Sequence, residues 1–222
     1  MTIIETILGL RQEDNRKSCL LMAIRSARYL TGRDVDLGNA KGIRDMELDV
    51  LMKDDVTTYW LDNEFFFSGL AMYLIAIECI GCLFENKTVI YEKNEGSIRI
   101  ALKSFSSLDK ARIEAVKDLR NTLAHNFGLA TENMLPKGSP KKYKHKFILS
   151  FSDDAEAIKM PTTEWDGDYD NKEETTSTII GVAEFCELME SIIANVYRCN
   201  ELGLLKLRIS ESEAEARFTV LS

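Results

Sequence analysis

At 222 residues, 45% apolar and 29% charged, the chain has the composition of a folded globular protein with enough sequence to bury a core, which excludes fibrous and disordered classes. A formal net charge of −8 excludes a protein that coats nucleic acid over a broad basic surface and leaves only a local cleft for such a ligand. The start Met1-Thr2-Ile3-Ile4-Glu5 lacks the basic, apolar and small-residue series of a secretory signal, so the expectation is a cytoplasmic chain whose five cysteines stay reduced.

From Glu13 to Leu30, Cys19, Leu20, Ala23, Ile24, Ala27 and Leu30 recur at three- and four-residue steps with basic residues between them, which predicts an amphipathic helix. Thr31-Gly32-Arg33 supplies its stop, because glycine accepts the left-handed conformation that closes many helices. A glycine-spotted loop over Asp36 to Gly42 leads to a shorter helical pattern near Asp45 to Lys53. Thr57 to Glu85 is the most apolar segment. Its length approaches a membrane span, but a carboxylate inside hydrocarbon is costly and Glu78 interrupts the run, so a central bundle helix is predicted and no membrane partner. If buried, Glu78 needs a hydrogen-bond donor or a cation.

After a polar break at Glu85 to Gly96, helical periodicity returns at Ile98 to Phe105. Ser106, Ser107 and Asp109 can each cap free amides, and a helix is predicted from Asp109 to Phe127, ending near Gly128. The basic stretch Lys137 to Lys146 reads as irregular, and Phe147-Ile148-Leu149-Ser150-Phe151-Ser152 as a strand within about 146–152. Glu164 to Glu174 is acidic and turn-rich, with a turn at Trp165-Asp166-Gly167-Asp168. Thr178 to Asn200 is amphipathic and helical, and alternation at Leu204 to Ile209 and Ala216 to Leu221 suggests two closing strands. The expected architecture is mainly α: one domain over residues 1–222, with a helical core at about 10–130 and 178–200 and a small β element contributed by the C-terminal third.

Cys19, Cys79, Cys82, Cys186 and Cys199 lie in apolar, helix-like surroundings where a free thiol behaves as a small hydrophobe. Cys79-Ile80-Gly81-Cys82 has CxxC spacing, but no second CxxC or HxxxH pair completes a zinc site, so neither metal nor cofactor is expected.

The chemistry concentrates in Arg120-Asn121-Thr122-Leu123-Ala124-His125, which places a permanent cation, an amide and one of two histidines within about two helical turns. Arginine can fork onto phosphate oxygens, and histidine can give or take a proton near neutrality. Projected at about 100° per residue, Ile113, Val116, Leu119, Leu123 and Phe127 form a core-facing stripe, with His125 about 180° from its centre beside Asn121, Glu114 and Asp118. The same projection separates Arg120 from His125 by about 7.5 Å along the axis and in direction, so a second chain packed about a twofold axis is expected to complete the site. The bland alternative is a solvated helix face with His125 complementing the C-terminal dipole.

Asp118-Leu119-Arg120-Asn121-Thr122-Leu123-Ala124-His125 resembles the signature of the HEPN superfamily, in which an Arg, usually followed by a polar residue, precedes a His by four to six intervening residues. The resemblance covers mainly residues 10 to 130 and the helix near 178 to 200, and it implies a four- or five-helix bundle. It further implies a metal-independent endoribonuclease that acts as a homodimer, as in toxin-antitoxin or antiviral defence systems, with an antitoxin or regulatory protein as a further partner. Carried over, His125 transfers protons, Arg120 binds or stabilises the scissile phosphate, and Asn121 orients one of them. Attack by the RNA 2′-hydroxyl would leave a 2′,3′-cyclic phosphate and a 5′-hydroxyl. Lys141, Lys142, Tyr143 and Lys144 are candidate RNA contacts through charge and stacking, with a solvated loop as the alternative. His145 receives no catalytic role. Two other readings stand beside this one: a non-catalytic HEPN protein that binds RNA, nucleotide or a partner chain, and a structural helical domain whose motif is coincidental.

Overall fold

A computed structural model of the chain describes residues 2–10, 16–40, 55–126, 128–133, 142–152, 154–171 and 173–221. In chain order its elements are α1 (Ile3–Ile7), β1 (Arg16–Ser18), α2 (Cys19–Leu30), α3 (Asp55–Leu83), β2 (Phe84–Asn86), α4 (Ser97–Phe105) and α5 (Lys110–Asn126). There follow β3 (Ala130–Asn133), β4 (Lys142–Ser150), β5 (Thr178–Gly181), α6 (Val182–Glu201), β6 (Leu205–Leu207), α7 (Glu211–Phe218) and β7 (Thr219–Leu221). With seven α-helices and only small sheets of two or three strands among the described residues, the protein is mainly α. It divides into two compact units, Met1–Ser106 with Glu190–Ser222, and Ser107–Met189.

In the first unit α2 and α4 both pack on α3. Tyr73, Leu70, Leu74, Ile77 and Ile80 of α3, Leu20 and Ile24 of α2, and Leu102 and Phe105 of α4 are all buried. Each such large side chain contributes roughly 1.5–3 kcal/mol when removed from water. The stretch Phe65–Leu83 is the one described segment long and apolar enough to cross a membrane, and half of it is buried in the protein. Glu78 is half-buried there. α4 comes so close to α3 that a Cβ at Gly81 would collide with the Ser97 carbonyl. Arg28 of α2 forks onto Glu190 of α6 through Nε (2.9 Å) and Nη2 (2.7 Å), and the Tyr73 hydroxyl donates to the same carboxylate at 2.6 Å. Arg28 Nη1 also donates to the carbonyls of Val35 and Asp36, which ties down the loop after α2.

Several boundaries differ from expectation for local reasons. The helix expected from Glu13 starts at Cys19, because Ser18 accepts the Leu21 amide as an N-cap while Arg16–Ser18 runs extended against β7. It stops where predicted, with Gly32 at φ 66°. The helix expected from Thr178 begins at Val182, since the β-branched run Thr178-Ile179-Ile180 joins a sheet instead. The strand predicted over Ala216 to Leu221 is helical as far as Phe218. Ser210 caps Glu213 at 3.2 Å, Glu211 and Glu213 occupy the first turn, and Ala214 and Phe218 bury one face, so helix signals prevail over a short alternation. The 204–209 strand is trimmed to Leu205–Leu207, antiparallel to β2. The helical pattern near Asp45 to Lys53 falls outside the described residues.

In the second unit β3, β4 and β5 form a mixed sheet beside α5. β3 and β4 are antiparallel, with a register shift between Thr131 and Glu132. β4 and β5 are parallel, Phe147 opposite Thr178. β4 begins at Lys142, so the part of the basic stretch after residue 141 is a strand and not irregular.

Candidate functional site on the fifth helix

α5 begins where the sequence predicts because Asp109 Oδ1 accepts the Arg112 amide at 2.9 Å. That backbone bond, and the Arg112 guanidinium on Oδ2 at 2.5 Å, hold the Asp109 carboxyl below the usual carboxylate range. Ile113, Val116, Leu119 and Leu123 are buried as the stripe requires. Asp118 and Thr122 are buried as well, at 6% and 2% exposed, although the projection put Asp118 on the solvent side with His125. The reason is tertiary: the β3–β4 hairpin covers a second flank of the helix. Thr122 Oγ1 donates to the Ala130 carbonyl at 2.8 Å, and His145 Nε2 of β4 lies 3.9 Å from Asp118 Oδ2. What remains outside is Arg120 and Asn121, half-buried, with Ala124 and His125 exposed.

Within one chain, Arg120 Nη1 donates to Asn121 Oδ1 at 3.2 Å and lies 3.4 Å from His125 Nε2. The expected separation of Arg120 and His125 is therefore wrong at the side-chain tips. Helical side chains lean towards the N-terminus, which carries the imidazole back over the turn before it, and the arginine stem spans the remaining gap. A guanidinium has donors only, so in this contact Nε2 offers its lone pair and the neutral ring keeps its proton on Nδ1. An acceptor nitrogen thus sits beside a fixed cation, with an amide steadying the cation. This set can accept a proton next to a developing negative charge.

Lys117 Nζ lies 2.9 Å from both Glu114 Oε2 and Asp118 Oδ1. Burial pulls the ammonium's pKa down, but the two carboxylates outweigh it and the net shift is upward. Of the candidate RNA contacts, Lys141 lies outside the described residues. Lys142, Tyr143 and Lys144 form the first part of β4, with Lys142 paired to Asn133 and Tyr143 to Glu132.

The residues that sequence reasoning passed over here are Asp118, His145 and Thr178. His145 Nδ1 lies 2.8 Å from Thr178 Oγ1, and its ring stacks on Phe147 with centroids 5.4 Å apart. The alternation His145, Phe147, Leu149 was the available signal, hidden by starting the strand at 146, four residues after β4 begins. Among the described residues no group of three or more His, Cys, Asp or Glu side chains is placed to hold a metal, and all five cysteines are free. Compared with models of protein families, with curated proteins and with solved structures, the chain matches none.

Proposed function

We propose that the chain is a metal-independent endoribonuclease of HEPN type, cytoplasmic, acting as a homodimer and serving as a toxin or defence effector. The observation that carries this reading is the convergence of the Arg120 guanidinium and His125 Nε2 to 3.4 Å on an outward face of α5, with Asn121 bound to the same guanidinium. The resemblance of the Arg-Asn-x-x-x-His signature to the HEPN motif and the mainly helical fold support it.

In this reading Arg120 takes the scissile phosphate, and His125 Nε2 removes the proton of the RNA 2′-hydroxyl. The 2′-oxygen forms its bond to phosphorus while Arg120 stabilises the added negative charge. The bond from phosphorus to the 5′-oxygen then breaks, and the 5′-oxygen leaves with a proton from solvent. The products are a 2′,3′-cyclic phosphate and a 5′-hydroxyl. A second copy of the chain would wall a site that one exposed helix face leaves open, and an antitoxin or regulatory protein would cover it.

The test is end-group analysis of mixed cellular RNA incubated with the protein in EDTA. Cyclic-phosphate ends that depend on His125 and Arg120 support the reading, and 3′-hydroxyl ends would refute the mechanism. The net charge of −8 favours a second reading, a non-catalytic HEPN-type protein that binds RNA, nucleotide or a partner chain. Binding without any cut products would single it out.

A further inference from the structure

On the same helix as Arg120 and His125 lies a polar cluster to which the proposed chemistry assigns nothing. Asp118 is 6% exposed, and its two carboxylate oxygens are treated differently. Oδ1 receives Lys117 Nζ at 2.9 Å, whereas Oδ2 is fully buried and has no hydrogen-bond partner among the described residues. A buried acceptor left unpaired costs about 1–3 kcal/mol, and more when charged, so such an oxygen calls for a donor. Nε2 of His145 is 3.9 Å away, on a side chain 12% exposed.

The rest of the histidine's surroundings turn that nitrogen towards the carboxylate. β4 fixes its backbone, since the His145 amide donates to Thr131 Oγ1 at 3.2 Å. Phe147 lies flat against the ring, 21° from parallel. On β5, the Thr178 hydroxyl is 0% exposed and sits 2.8 Å from Nδ1. If that hydroxyl donates to Nδ1, the neutral ring carries its proton on Nε2. If Nδ1 donates instead, an unprotonated Nε2 would aim a lone pair at the carboxylate oxygen, which a second proton relieves. Both arrangements that avoid repulsion place a proton on Nε2.

On the α5 side Asp118 Oδ2 faces the ring at 3.9 Å, while Lys117 Nζ is held between Asp118 Oδ1 and Glu114 Oε2. Among the described side chains of β3 and β5, neither Thr131 nor Thr178, Ile179 and Ile180 carries charge. Lys146, next along β4, is turned to the Asn171 carbonyl.

We propose that His145 is a positioning residue for the motif: its Nε2 proton engages Oδ2 of Asp118 and so holds the α5 turn from which Arg120 and Asn121 project. The contact stands on geometry alone, while its consequence for cleavage rests on the ribonuclease reading. Asp118 is two residues before Arg120 in sequence, so a helix that rocks about this contact moves the guanidinium relative to His125.

The experiment records histidine ring nitrogen signals of the full chain by NMR across neutral pH, for the wild type, Asp118→Asn and His145→Gln. The His145 signals are expected to show Nε2 protonated, and in Asp118→Asn its titration midpoint is expected to fall, because a neutral amide no longer favours the imidazolium. His125 signals are expected to shift in both variants, which reports repositioning whether or not RNA is cut. His145 found with its proton on Nδ1 alone, or His125 signals unchanged in both variants, would overturn the proposal.

RNA cleavage by the same proteins forms a separate arm, with kcat expected to fall roughly tenfold at little change in KM, as for misplaced catalytic groups. Unaltered kcat and pH profile in both variants of an active protein also overturns it. A wild type that never cleaves RNA removes the ribonuclease reading and leaves the NMR arm decisive. Retention of the wild-type far-ultraviolet spectrum by both variants separates repositioning from unfolding.

Discussion

At the residue scale, a small change in side-chain direction decides what the motif can do. Arg120, Asn121 and His125 were legible as a phosphate-handling set from residue type and spacing alone. Their meeting was not, because a helical projection places Cβ atoms and says little about the tip of a three-carbon arginine stem that can reach across a turn. Arg120→Lys is expected to lower RNA cleavage strongly while keeping the charge, since an ammonium cannot bond Asn121 and fork onto phosphate together. Comparison of initial rates with Arg120→Ala checks this, and a lysine variant as active as the wild type would show that charge alone suffices. Asp118 and His145 were illegible for a different reason. Their contact joins a helix to a strand through tertiary packing, and nothing local in either segment announces it.

At the element scale, the long amphipathic patterns of α2, α4 and α6 and the apolar run of α3 declared themselves, because each buries a face by period. Of the three-residue strands, β6 and β7 fall inside the alternating stretches at 204–209 and 216–221, whereas nothing announced β1 and β2. These two hold too few residues for any alternation to show, and they form only because a partner strand meets them. Gly81 fixes the spacing of α3 and α4, so Gly81→Ala is expected to destabilise the first unit by about 1–3 kcal/mol, read from chemical denaturation midpoints. Removing Glu190 leaves Arg28 and the Tyr73 hydroxyl without their shared carboxylate. Glu190→Ala is therefore expected to cost about 3 kcal/mol and Tyr73→Phe about 1 kcal/mol by the same measurement.

The start of α5 carries a pH signature. Because Asp109 titrates below its unfolded range, its cap stabilises above the unfolded pKa of about 4 and is lost as pH falls through the lowered folded value. The melting temperatures of the wild type and Asp109→Ala are expected to differ near neutrality and to converge in acid. A difference that persists unchanged at low pH would show that the carboxylate charge is not what caps the helix.

At the scale of the whole molecule, the question is whether each chain carries a complete set or half of one. The axial spacing of Arg120 and His125 on one helix calls for a second chain to bring them together, but their side chains approach to 3.4 Å within a single chain. A homodimer remains part of the proposal as the source of walls around the site, with both motif side chains contributed by the same chain. Mixing Arg120→Ala with His125→Ala protein under conditions that exchange subunits is then expected to restore no activity. Recovery of about a quarter or more of the wild-type rate would place the arginine and histidine of one site on different chains.

The most direct measurement of the central claim is the rate at which purified wild-type, Arg120→Ala and His125→Ala chains cut mixed cellular RNA in EDTA, with cyclic-phosphate ends counted. Metal-independent cleavage by the wild type is expected, with a loss of at least about 10²-fold in each variant, the scale of a lost general base. Intact RNA after long incubation with the wild type, or variants that cut as fast as it does, would contradict the claim.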